Sequence, residues 1–138
     1  MSLRPIAEVT VGDWETKLRV TLRNNGAGPL VVTHVVAGNG AEVKSSLLDW
    51  MPDLPEDIYW SNFAGNIDGR SLSSDRAIVL LELQGDATDG AFAAFRDEVR
   101  AALHPLIVNV EYTDVYGSYL NPYRKSLDWF GRRLGEEQ

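Results

Sequence analysis

Lys17-Leu-Arg-Val-Thr-Leu-Arg23, Asn24-Asn-Gly-Ala-Gly-Pro29, Leu30-Val-Val-Thr-His-Val-Val-Ala37: the reading of this stretch decides the fold. Leu18, Val20 and Leu22 fall on one side of an extended chain, and Lys17, Arg19, Thr21 and Arg23 on the other. A period of two is that of a strand with one face in a core and one in water. Residues 24–29 end it, because Asn and Gly tolerate positive φ and Pro29 lacks the N–H of a central strand. The segment therefore predicts a reversal with Gly26 or Gly28 in the left-handed region. The second run is apolar on both faces, predicting a mid-sheet strand covered on each side. Read together, the two runs form a hairpin, which is unstable alone and needs further strands over its apolar face.

The rest of the chain supplies them. Ala7, Val9 and Val11 alternate with Glu8 and Thr10, a first strand ended by Gly12-Asp13. Residues 77–84 read as a strand with Val79, Leu81 and Leu83 inward. Thr88 or Asp89 caps a helix whose Phe92, Phe95, Val99 and Leu103 recur at steps of three and four, and Pro105 stops it. Residues 106–113 form the next strand, with Val108, Val110 and Tyr112 inward. Residues 123–129 read as the last, with Tyr123, Leu127 and Trp129 on one face. Residues 41–76 are an irregular insertion in which Pro52 and Pro55 forbid a long helix and residues 58–63 make a short edge strand. Residues 1–4 read as a leader and 131–138 as a polar tail.

Composition bounds the function. The 138 residues make one domain, and an excess of 20 Asp and Glu over 13 Lys and Arg argues against a nucleic-acid backbone as partner. Without cysteine there are no disulfides, thiolate metal sites or thiol catalysis. No run approaches the roughly 18 apolar residues of a membrane span. No cofactor motif is present.

Several short strands, regular turns and one convincing helix predict an all-β antiparallel sandwich of about seven strands. The helix lies in the crossover before the penultimate strand, passing from one sheet to the other. Residues 18–30 resemble the strand, Asn-x-Gly-x-Gly-Pro, strand segment of a loosely defined group of bacterial proteins. Tyr112-Thr-Asp114-Val-Tyr116-Gly117 is similar to a Tyr-x-Asp-x-Tyr-Gly stretch near the end of their domains. The resemblance implies an immunoglobulin-like domain, one that in the group often follows one or two membrane helices. It therefore also implies an extracytoplasmic or membrane-anchored setting. It carries no activity.

The chemistry-bearing residues are weighed one by one. His34, within an apolar strand, and His104, at a helix end, read as structural, and nothing in their spacing makes a zinc site. Asp114 reads as the acceptor of a local turn. Asp49, Asp53, Glu56 and Asp57 stand beside Trp50, Tyr59 and Trp60 in the insertion. Aromatics in a proline-bounded loop either anchor the loop or serve a partner, so Trp50, Asp53, Tyr59 and Trp60 are the candidate binding residues. The function expected is a binding or interaction module for a protein or carbohydrate, with catalytic residues assigned to none. The alternative is a hydrolase acting on carbohydrate through two of the insertion's acids.

Overall fold

The computed structural model describes residues 4–132. Two antiparallel sheets pack face to face. The first has the order β1 (Ala7–Asp13), β2 (Lys17–Asn24), β7 (Ala77–Gln84), β5 (Asn62–Phe63). The second has the order β4 (Val43–Lys44), β3 (Leu30–Gly38), β8 (Ile107–Thr113), β9 (Tyr123–Ser126), and β6 (Ser71–Leu72) also pairs with β3. Helix α1 (Gly90–Leu103) joins β7 to β8 and so passes from the first sheet to the second, as its place in the sequence predicts. The fold is thus an all-β sandwich with one helix. Val20, Leu81 and Val110 are buried between the sheets with Phe95, Val99, Leu103 and Phe130.

Three local expectations are corrected. The first concerns residues 24–29, which do not close a hairpin: β2 pairs with β1 and β7, whereas β3 pairs with β4, β6 and β8 in the other sheet. The reversal is a crossing over the end of the sandwich, and the fully buried side chain of Asn24 holds it. Its Oδ1 accepts from the N–H groups of Ile6 (3.2 Å) and Gly26 (2.9 Å), and its Nδ2 donates to the carbonyls of Gly28 (2.9 Å) and Leu72 (3.0 Å). Turn residues announce a reversal but not which sheet receives the next strand. Neither Gly26 nor Gly28 has positive φ, a conformation that among the described glycines belongs to Gly40, Gly69 and Gly117. Glycine is needed at 26 because a Cβ there would collide with the carbonyl oxygen of Arg4 and the backbone of Pro5 and Ile6.

The second correction concerns faces. The β2–β7 register shifts between Val20, opposite Leu81, and Thr21, opposite Val79, leaving Leu80 as an extra residue. A bulge reverses the alternation beyond it. Ile78, Leu80, Leu81 and Leu83 are therefore buried, while Val79 lies half-buried opposite Thr21. Likewise β3 is central in its sheet but covered on one side only, with Thr33 and His34 exposed outward.

The third is at the C-terminal end. The last strand stops at Ser126, and residues 128–131 form a 3-10 turn that buries Phe130 and leaves Trp129 on the surface. The guanidinium of Arg132 lies 3.5 Å from the Trp129 ring centroid and donates to Asp13 Oδ2 at 2.9 Å. The expected polar tail beyond Arg132, like residues 1–3 of the expected leader, lies outside the described residues.

Arg132 belongs to a cluster that fastens the helix to the first sheet. Arg100 donates through Nε and Nη2 to Asp13 Oδ1 (3.0 and 2.8 Å), and through Nη1 to Asp97 (2.8 Å). Arg96 donates to the carbonyl of Glu15 at 2.7 Å and pairs with the Glu15 and Asp97 carboxylates. The Asp13 side chain has no exposed surface and Arg100 is nearly as enclosed. The helical spacing that marks the apolar stripe carried no sign of these buried arginines.

Candidate functional site

The 41–76 insertion pairs its short strands with β3 in one sheet and β7 in the other, and two of its aromatic rings pin it to the sandwich. Trp50 is half-buried, and its Nε1 donates to the Ala37 carbonyl on β3 at 2.8 Å. Lys44 Nζ lies 4.8 Å from the centre of the Trp50 ring. Trp60 packs on Phe95 of the helix with ring centroids 5.7 Å apart. Ile58 is buried between them in sequence, so the backbone at Tyr59 is held from both sides while its ring, 71% exposed, stands in solvent. Asp53 is exposed.

The four candidate residues therefore do not form one site. Tyr59 and Trp60, with Asp57, line an open groove of about 380 Å³ whose other wall is the β7–α1 connection, Gly85, Asp86 and Asp89. Trp50 and Asp53 are not among its lining residues. Asp86 and Asp89 were missed as site residues in the sequence, where they read only as a strand end and a helix cap. Their nearness to Tyr59 follows from β5 pairing with β7, a contact that no local pattern encodes.

The groove's acids are already engaged in shaping it. Asp89 caps the helix, its Oδ1 accepting from the Ala91 N–H at 3.0 Å. Asp86 Oδ1 accepts from the Thr88 hydroxyl (2.7 Å) and the Thr88 N–H (2.9 Å). The Thr88 hydroxyl, with the N–H behind it, holds the Asp86 carboxyl below the usual carboxylate range. Asp86 is thus an anion at neutral pH and an acceptor for a donor or cation.

Elsewhere the polar residues serve the fold. His34 Nδ1 lies 2.9 Å from Asp68 Oδ2, and Asp68 Oδ1 accepts the Val35 N–H at 3.2 Å. That stretch of β3 lies between the β6 and β4 pairings, so the carboxylate takes the place of a strand neighbour. The hydrogen bond with His34 lowers the Asp68 pKa. His104 stands at the C-terminus of α1, where its N–H closes the last turn on Arg100. Asp114 Oδ1 accepts from the N–H groups of Tyr116 and Ser118, the turn expected of it, and the Ser118 bond lowers its pKa foremost. Among the described residues no group of three acids or histidines is placed to hold a metal ion, and no helix is long and apolar enough to cross a membrane.

The fold and the groove define a small antiparallel β-sandwich with a helical crossover and an aromatic, acid-edged cleft at one edge. Compared with known proteins, the chain matches no family model, no curated protein and no solved structure.

Proposed function

We propose that the chain is a binding module whose recognition surface is the groove between the insertion and the start of α1. The proposed partner is a basic segment of another protein. The observation that carries this reading is Tyr59, an exposed ring on an anchored backbone, above a groove edged by Asp57, Asp86 and Asp89. A lysine or arginine placed there meets an aromatic face and fixed carboxylates together, and either attraction is stronger for being preorganised. On the resemblance stated above, we further read the sandwich as immunoglobulin-like and as the extramembrane domain of an anchored protein.

A carbohydrate hydrolase is the second reading, favoured by acids beside aromatic rings. Retaining and inverting glycosidases alike need one carboxyl that keeps its proton near neutral pH and one that is free to act. Of the insertion's Asp49, Asp53, Glu56 and Asp57 only Asp57 is among the groove's lining residues, and of the two acids it meets there Asp86 is lowered rather than raised and Asp89 is committed to the helix cap. These points favour binding over hydrolysis.

Calorimetric titration with an Arg/Lys-rich peptide and with neutral oligosaccharides, alongside a reducing-sugar assay, tests both. The expected result is peptide binding that weakens with salt and is lost in Tyr59→Ala. Sugar release would replace the proposal with the hydrolase, and failure to bind either ligand would overturn it.

A further inference from the structure

A depression in the outward face of the second sheet follows from the register of its strands. Gly38 on β3 stands between Val43 on β4 and Ile107 on β8, so the middle of that row has no side chain. A Cβ there would lie 3.0 Å from Cγ2 of Val43, whose methyl closes over the space a side chain would take. In the next outward row Val36 faces Asn109, and Asn109 faces Arg124 of β9. These six residues are among those lining an open hollow of about 340 Å³. It is apolar where Val36, Val43 and Ile107 stand, and polar at Asn109 and Arg124.

The polar end is unmatched. Arg19, Arg23, Arg96, Arg100 and Arg132 each meet a carboxylate, but Arg124 has no ion pair or hydrogen bond among the described residues. The Asn109 side chain likewise makes no hydrogen bond among them. Glu42, in the β3–β4 connection, pairs with Lys44 at 3.9 Å, and Glu111, the next outward residue of β8, forms no ion pair with Arg124. A guanidinium presents paired N–H donors in the geometry of a carboxylate. Its one charge offsets one anionic charge, and a net charge of −7 on the chain opposes a dianion such as a phosphate ester. Small-ligand pockets, from about 300 Å³ upward, hold an apolar body and fix it with a few placed polar groups.

We propose that this hollow binds a small monocarboxylic acid with an aryl or branched aliphatic body. The carboxylate meets Arg124, with the Asn109 amide donating beside it, and the apolar body covers Val36, Val43 and Ile107 over the floor at Gly38. Burial of the body drives association, and the guanidinium selects the acid over its neutral analogues. The hollow shares no residue with the groove at Tyr59, for which a cationic partner is proposed, so the two readings stand or fall separately.

Calorimetric titration with phenylacetate and with uncharged phenylacetamide tests it, with NMR amide shifts locating the ligand and thermal melts confirming that each variant is folded. Phenylacetate is expected to bind and to shift the amide signals of Gly38 and Ile107. Phenylacetamide is expected to bind about tenfold more weakly or worse. Arg124→Gln is expected to cost the acid the same factor and to leave the amide unchanged, so that the two ligands become equal. Val43→Asp, at a largely exposed position, is expected to weaken acid binding about tenfold by placing a like charge in the apolar wall, and Tyr59→Ala to leave it unchanged. An acid that does not bind, that binds no better than its amide, or that is indifferent to Arg124→Gln overturns the proposal. A peptide ending in phenylalanine that binds at these residues where phenylacetate does not would replace the small acid by a protein C-terminus.

Discussion

Helix α1 has polar groups at both ends, and their surroundings are opposite in kind. From its middle onwards Arg96 and Arg100 are buried and meet Asp13, Asp97 and Glu15 within hydrogen-bond distance. At its N-terminus Asp86 and Asp89 face an open groove below an exposed tyrosine. Buried charges must be matched inside the molecule, because removing an ion from water costs several kcal/mol unless a partner replaces the lost hydration. Exposed ones carry no such requirement and remain available to a ligand. The difference separates what holds the sandwich together from what it offers to a partner.

The largest effect is expected where matching is complete. Asp13→Ala strips the enclosed Arg100 of its buried counter-ion, leaving it only the part-exposed Asp97, and should lower stability by about 3–5 kcal/mol, read from denaturant unfolding. A loss under about 1 kcal/mol would show the cluster to be hydrated and erase the contrast. Replacing Arg100 and Asp13 together by Met and Leu should recover much of the loss, because the buried Asp13–Arg100 pair is then removed whole and neither of its charges is left without the other.

Trp60 sits between the two regimes. Its ring anchors the groove on Phe95 while remaining half exposed, so Trp60→Ala should cost less than the 3–5 kcal/mol of a fully buried aromatic, about 1–3 kcal/mol. It should also weaken peptide binding, since the Tyr59 backbone loses one of its two supports. Binding unchanged in this variant would detach the groove from its proposed role.

Tyr59→Ala should leave stability within about 0.5 kcal/mol, as surface substitutions do, and remove binding. A destabilisation near that of Trp60→Ala would mean that Tyr59 too is a structural anchor.

The smallest effect concerns pH. The Asp86 pKa is lowered in the folded chain, so its contribution is fully present above the ordinary aspartate pKa of about 3.9 and disappears as pH falls through the lowered value. Asp68 and Asp114 are lowered as well and act in the same direction. Melting temperature should therefore be insensitive to these groups between about pH 5 and 8 and fall below about pH 4. Asp86→Asn should flatten part of that acid limb. An Asp86 effect appearing near neutral pH would mean a raised pKa, and would bring the hydrolase forward.

The sequence by itself determined the elements whose identity depends on neighbours along the chain. The alternation in β1, β2 and β8, the apolar stripe and Asp89 cap of α1, and the Asp114 turn are short-range consequences of side-chain period and local hydrogen bonding. The two-layer architecture was legible too, because so many half-apolar strands with one helix between them leave few other ways to bury their inner faces. What only the tertiary structure decided lies at contacts between residues far apart in the chain. These include the crossing at residues 24–29, the bulge that turns Val79 outward, the buried salt bridges of Arg100, and the meeting of Tyr59 with Asp86. A turn residue shapes its own backbone but does not select which sheet the next strand joins. An arginine in a helical pattern reads as solvated until a carboxylate 87 positions away in sequence is brought against it. Local chemistry sets the conformation of each segment, and only the packing of segments assigns its partners.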